Sequence, residues 1–309
     1  MIVIMPGLIK KIMKLQQKAS LVLSINNRNL GYVYPSNKRT DFPLANNKLL
    51  TKDYLRKVAV PVPETFYSYS WFYEMMTLES DLAGLENFVI KPANGSGGQG
   101  IVVITRRDKS SWYSAGGQAY SLEDIKKHIS DIIFGVFNHD MSDSAIIEQR
   151  IEQHEMLNAI CELGLSDIRV LLYQNRPVMA MVRVPTKSSD GKANLHQGAI
   201  AMGLDLETGI TTHAVADGVA IDKHPDTQQS LLGLKIPFWN EVIEMSIVAA
   251  ESAPLKYLGV DIAITEQGVL MIEINARPGI EIQNVNNFPL RKALEDNLFC
   301  LKYSDGDSK

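Results

Sequence analysis

The chain has 309 residues, 45% of them hydrophobic and 21% charged, enough to bury a full core in one large domain or two lobes. Lysine and arginine (31) nearly balance aspartate and glutamate (35), and the net charge of −4 offers no global basic field for nucleic acid. Cys161 and Cys300 are too far apart in sequence for a metal or redox motif, so a reduced, cytoplasmic protein is expected, and no apolar run reaches the roughly 20 residues of a membrane span.

Residues 1–23 are apolar and basic, but Pro6-Gly7 breaks them and no small-residue cleavage site follows, so they do not read as a signal peptide. As a helix they set Lys10, Lys11, Lys14 and Lys18 on a polar side. They would then lie at a membrane interface, pack on their own domain, or contact a partner, a second copy included. Asn26 to Asn29 form a polar turn, and Tyr32 to Phe42 show little periodicity. A helix begins near Asn47, carries an apolar stripe through Leu49, Leu50, Tyr54 and Leu55, and stops before Val60-Pro61. Thr65 to Tyr69 alternate as a strand, and Trp71 to Leu82 have helical spacing.

Phe88-Val89-Ile90-Lys91-Pro92 is a buried strand that runs through Gly95-Ser96-Gly97-Gly98-Gln99-Gly100 into a second strand over 101–105. Four glycines in six residues leave a hairpin tip without side chains, so it is either a flexible turn or a backbone cradle for an anion such as a triphosphate. Lys91, at the end of its strand, favours the second reading. Neither a P-loop nor a dinucleotide fingerprint is present, because no helix follows the glycines. Residues 110–121 read as a loop, 122–137 as an amphipathic helix, and 145–151 as a strand followed by Glu152 and Glu155. Strands over 166–173 and 178–184 hold Arg169 and Arg183 among apolar neighbours, where each either neutralises a buried acid or grips phosphate or carboxylate oxygens. A hydrophilic loop over 186–192 leads to Asn194-Leu195-His196-Gln197-Gly198 and a strand to Asp205. Residues 238–252 form an amphipathic helix, 293–301 a last helix, and 304–309 a polar tail expected to be disordered.

Between those two helices, residues 259–265 and 269–275 form a hairpin turned by Glu266-Gln267-Gly268. Alternation puts Asp261, Glu273 and Asn275 on one face of an otherwise apolar sheet, where an unpaired carboxylate is costly. Either a hard cation such as Mg²⁺ compensates them or an arginine such as Arg277 does.

In order and spacing, FVIKPANGSGGQGIVVI, IIEQRI, DIRV, NLHQG and GVDIAI…VLMIEINARPG resemble the ATP-grasp superfamily, and within it the alpha-L-glutamate ligase-like branch, from Asn26 to about Gln283. The resemblance implies an α+β ATP-grasp fold: a short helical segment over 1–46, a small lobe over 47–147 with the glycine loop, and a larger lobe over 148–303 with the metal site, the two lobes gripping ATP between antiparallel sheets. Carried onto this chain, it assigns Lys48 and Lys91 to the ATP phosphates and Gly95, Ser96, Gly97, Gly98 and Gly100 to a lid. Glu148, Gln149 and Ile151 fall at the adenine hinge and Glu155 on the ribose. Asp261, Glu273 and Asn275 would hold Mg²⁺, usually two ions, with Mn²⁺ as a substitute. Arg169, Arg183 and Arg277 would surround the transferred phosphoryl group, Arg277 alternatively holding the acceptor's carboxylate, with Asn194 and His196 at an acyl-phosphate pocket, although His196 equally suits a structural role. The expected activity is ATP-dependent carboxylate–amine ligation of amino acids or peptides; a phosphotransferase and a nucleotide-binding regulator are the alternatives. Two departures stand out: only about 45 residues precede Lys48, and Asn47 replaces a common Asp.

Overall fold

Strands in this chain are short, β-branched and mostly separated by turn residues, and they assemble entirely antiparallel. The computed structural model describes residues 21–304 except Ser96 and Ser110, with side chains to residue 297. Residues 1–20, where an interfacial or partner-contacting helix is expected, and the tail beyond Ser304 lie outside the described residues. β1 (Thr65–Tyr69), β2 (Phe88–Pro92), β3 (Val102–Arg107), β4 (Trp112–Ser114), β5 (Ala119–Tyr120) and β6 (Ala145–Glu148) form one sheet in the order β1-β6-β2-β3-β4-β5. β7 (Asp167–Tyr173), β8 (Arg176–Val184), β9 (Ile200–Leu204), β10 (Thr211–Ala216), β11 (Val219–Ala220), β12 (Tyr257–Thr265) and β13 (Gly268–Asn275) form the other, in the order β11-β10-β9-β8-β7-β12-β13.

Each sheet has its own core. Phe88, Ile90, Ile104 and Ile147 of the first pack with Ile125, Ile129 and Ile132 of helix Leu122–Ile133. In the second, every residue of β12 is buried, so both faces of that strand are covered. Helix Trp239–Ser252 contributes Val242, Ala249 and Ala250 to this core, and Ile282, Leu290 and Leu294 join it from the C-terminal helices. Leu55 of helix Lys48–Lys57 is buried in this larger core, so the helix expected with the first lobe packs on the second.

Several local expectations change. Residues 110–121 are not a plain loop: β4 and β5 extend the first sheet, with Trp112 edge-on to Phe88 at 6.4 Å. Two- and three-residue strands are too short to show a period. The helix expected to reach 137 ends at Ile133, because Gly135 at φ +82° turns the chain. Trp71 to Leu82 divide into a 3₁₀ turn, Phe72–Thr77, and a helix, Leu78–Leu82. The polar and unperiodic stretch after residue 24 forms short helical turns, including Ile25–Arg28 and Phe42–Asn46, pinned by side chains rather than by a continuous apolar stripe. Asn37, for example, accepts from the backbone N–H of Lys256 (2.8 Å) and Tyr257 (3.0 Å) and donates to the Tyr257 carbonyl (2.6 Å).

Candidate active site

The β12–β13 register sets Asp261 directly opposite Glu273 and Gly259 opposite Asn275, so the three oxygen-bearing side chains share one face as alternation requires. Gly268 closes the turn at φ +128°. Their environments differ. Asp261 is buried, and Arg169 on neighbouring β7 grips it bidentately, Nε to Oδ1 at 2.7 Å and Nη2 to Oδ2 at 2.6 Å. Arg183 on β8 adds 2.8 Å to Oδ2 while its fork holds Asp167 at 2.6 and 2.7 Å. The Asn275 amide donates to the same Oδ2 at 3.2 Å. Burial opposes ionisation of Asp261, but the two guanidiniums outweigh it and hold its pKa down to about 2. Burial, together with the Asp261 charge, pushes Asp167 up to about 6 despite Arg183. Arg169 and Arg183 therefore do neutralise buried acids. The arginine compensating Asp261 is not Arg277, which is exposed with its guanidinium 5.7 Å above the Phe42 ring. Its remoteness follows from the Ala276–Gly279 stretch leaving the sheet after β13.

Glu273 differs from Asp261: its carboxylate has no hydrogen bond or ion pair among the described residues, and it lines a cavity of about 50 Å³ with Lys48, Lys91, Gly95, Gly97 and Gly98. Lys91, at the end of β2, and Lys52 each ion-pair with one oxygen of Glu148 on adjacent β6. Lys52 completes its shell with the Pro63 carbonyl and Thr65 Oγ1, both 3.0 Å away. Burial lowers its pKa to about 8 despite Glu148, while the two ammoniums override burial to keep Glu148 low. Lys48 has no carboxylate within ion-pair distance among the described residues; its ammonium donates to the Gly95 carbonyl at 2.6 Å, and burial lowers its pKa against the pull of Glu273.

The glycine loop is tied down from both ends. Asp143 accepts from the Asn94 N–H at 3.1 Å and from its side-chain amide at 2.7 Å. On the other side, Asn194 Nδ2 and Gln197 Nε2 donate to the Gly97 carbonyl at 3.3 and 3.0 Å, so the NLHQG segment of the second sheet touches the loop of the first. His196 points away, largely exposed, 3.8 Å from Glu281. At the hinge, the Glu148 side chain is committed to lysines, Gln149 exchanges hydrogen bonds with Glu64 at 2.8 and 3.2 Å, and Ile151 is half-buried. Glu155 opens helix Glu155–Ile160, exposed, its N–H donating to Glu266 at 2.7 Å. The structure thus brings together Lys48, Lys91, the loop glycines, Asp261, Glu273, Asn275, Arg169, Arg183 and Asn194, and leaves Arg277, His196 and Glu155 at the surface; Ser96 lies outside the described residues.

Lys52, Asp167 and Gln197 were not singled out from sequence. Lys52 follows Lys48 by four residues, one helical turn on the same face, and Asp167 precedes Arg169 by one strand period; both spacings were visible signals. Gln197 carried none beyond its motif.

The residues fit a polyphosphate: Lys48 and Lys91 are buried ammoniums lining one cavity with the loop glycines Gly95, Gly97 and Gly98. They also fit a divalent cation in part. Glu273 is a carboxylate facing the cavity without a partner, Asn275 lies beside it, and the donors on Asp261 would have to yield before it could ligate. Among the described residues no three His, Cys, Asp or Glu side chains converge, so such a site rests on two carboxylates and an amide.

Among curated relatives, the "Probable alpha-L-glutamate ligase" of Haemophilus ducreyi is 22% identical over 267 residues, covering 86% of this chain and 66% of the relative. That of an Enterobacter species is 24% identical over 251 residues, covering 80% and 61%. The chain thus spans just under two thirds of the length of these relatives. Biotin carboxylase from Campylobacter jejuni, solved as a beta-gamma-ATP complex, superposes with a TM-score of 0.53 at 13% identity, over 84% of this chain and 47% of that one, a likeness of fold. A family model described as sugar-transfer associated ATP-grasp matches residues 27–297, most of the chain, and this protein belongs to that ATP-grasp family.

Proposed function

We propose that the protein is an ATP- and Mg²⁺-dependent carboxylate–amine ligase. The observation that carries this reading is the pair of buried ammoniums, Lys48 and Lys91, meeting the unpartnered Glu273 carboxylate across one cavity beneath the glycine loop. Chemistry of this kind joins a carboxylate oxygen to the γ-phosphorus with release of ADP; an amine then attacks the acyl carbon, and inorganic phosphate leaves with the bonding pair. Both steps ask for positioning and charge neutralisation rather than a side-chain nucleophile. Lys48 and Lys91 neutralise phosphate oxygens, and the glycine loop excludes water. Arg183 and Arg169, anchored by Asp167 and Asp261, hold fixed positive charge beside the face that Glu273 and Asn275 occupy. Those two residues, with Asp261 once its arginines yield, would hold Mg²⁺, which supplies shielding of the phosphate charge. Asn194 reaches the loop directly, whereas His196 is assigned no step.

The relatives' name suggests glutamate as substrate, and the family description associates the fold with sugar transfer; neither specifies the acid or the amine used here. The test is ADP release from ATP and Mg²⁺ over a panel of amino acids and short peptides, with hydroxylamine present to trap an acyl phosphate. Hydroxamate that requires one particular acid and vanishes in Glu273→Ala is the expected result. ADP formation without hydroxamate on any acid would overturn the ligase in favour of a phosphotransferase, and tight ATP binding without turnover would favour a nucleotide-binding regulator.

A further inference from the structure

An open depression of about 450 Å³ lies beside the Tyr173 end of β7, lined by Asn27, Leu30, Gly31, Tyr32, Tyr173 and Arg291. Tyr173 pairs in register with Tyr257, four residues before Asp261 on β12, roughly 13 Å along the strand from that carboxylate. The walls are aromatic: Tyr32 stands edge-on to Tyr173 at 5.6 Å, and both rings lie within 6.4 Å of the Tyr257 ring. The polar groups are left wanting. The Arg291 side chain makes no hydrogen bond or ion pair among the described residues, and its Nε is buried. Glu295, one turn along the same helix, does not pair with it. The Tyr257 hydroxyl, on a ring that packs against Tyr32 and Tyr173, is likewise buried without a partner. A permanently charged guanidinium with a buried, unmade donor is costly and is relieved by an anion in its plane.

We infer that this depression binds a small organic oxyanion, a carboxylate or phosphate ester on a flat apolar body, with the Arg291 fork on the anion and the Tyr32 and Tyr173 rings against the body. The site is independent of the ligase reading. To test it, the full chain is titrated calorimetrically with benzoate, phenyl phosphate and the neutral analogue benzamide. At least one anion is expected to bind about tenfold or more tightly than benzamide, its identity telling carboxylate from phosphate. Arg291→Met is expected to abolish that preference and Arg291→Lys to restore part of it, while ATP affinity and the melting temperature stay at wild-type values. Should Arg291→Met fold poorly, Tyr32→Ala is expected to weaken both anions alike. Equal affinity for benzoate, phenyl phosphate and benzamide, no binding of either anion at millimolar concentration, or wild-type anion affinity in a folded Arg291→Met or Tyr32→Ala protein would overturn the inference.

Discussion

Glu148 sits between two ammoniums, whereas Lys48, one turn before Lys52 on the same helix, has no carboxylate at ion-pair distance among the described residues. The contrast separates structure from binding. Glu148→Gln strands two buried lysines and is expected to cost about 3–5 kcal/mol in urea unfolding; a loss below about 1 kcal/mol would mean that the lysines relax to solvent. Lys48→Met removes a charge that burial already penalises, so stability should hold or rise while ATP affinity falls about ten- to a hundredfold by calorimetry. Unchanged ATP affinity would remove Lys48 from the phosphate site. Lys91 was legible beside its glycines because a cation at a strand end next to a bare backbone is a local pattern. That it shares Glu148 with Lys52 was not, since the three come from helix Lys48–Lys57, β2 and β6, which only folding brings together.

At the level of elements, the glycine loop and the NLHQG segment act as two jaws meeting at the Gly97 carbonyl. A cavity of about 50 Å³ holds a few waters but not a triphosphate, so on the function proposed above the loop would have to lift for nucleotide to enter. Replacing both Asn194 and Gln197 with alanine is expected to speed amide hydrogen exchange across residues 93–100 severalfold and to leave global stability within about 0.5 kcal/mol. Exchange as slow as in the wild type would show that the Asp143 anchor alone restrains the loop. At the base of the same loop, Gly100 adopts φ +72°, and a side chain there would begin 2.7 Å from the Phe137 ring. Gly100→Ala should therefore destabilise by about 1–3 kcal/mol, read as a lower melting temperature.

Across the whole molecule, acid stability should follow the chain of charges Arg169–Asp261–Arg183–Asp167 at the junction of β7, β8 and β12. Asp261 titrates near 2 in the folded state, below the ordinary value of about 4, so its contribution is present above pH 4 and is lost as pH falls towards 2. Asp167 titrates near 6, above its unfolded value, so the folded state takes up its proton first and stability rises as pH falls from 6 to 4. Urea midpoints should therefore climb slightly between pH 6 and 4 and collapse below 4, and Asp167→Asn should flatten the climb. A midpoint falling steadily from pH 6 would show that Asp167 is not held above its ordinary range. By itself, the sequence determined the strand–glycine–strand unit, the β12–β13 hairpin and the common face of Asp261, Glu273 and Asn275, because turn chemistry and period-2 alternation are properties of a few consecutive residues. Tertiary structure alone decided which arginines occupy Asp261, why Arg277 and His196 stand at the surface, and how helix Lys48–Lys57 joins the second core while its lysines face the first sheet. Those outcomes depend on register between strands up to about ninety residues apart, where desolvated charges find whichever partner the packing delivers.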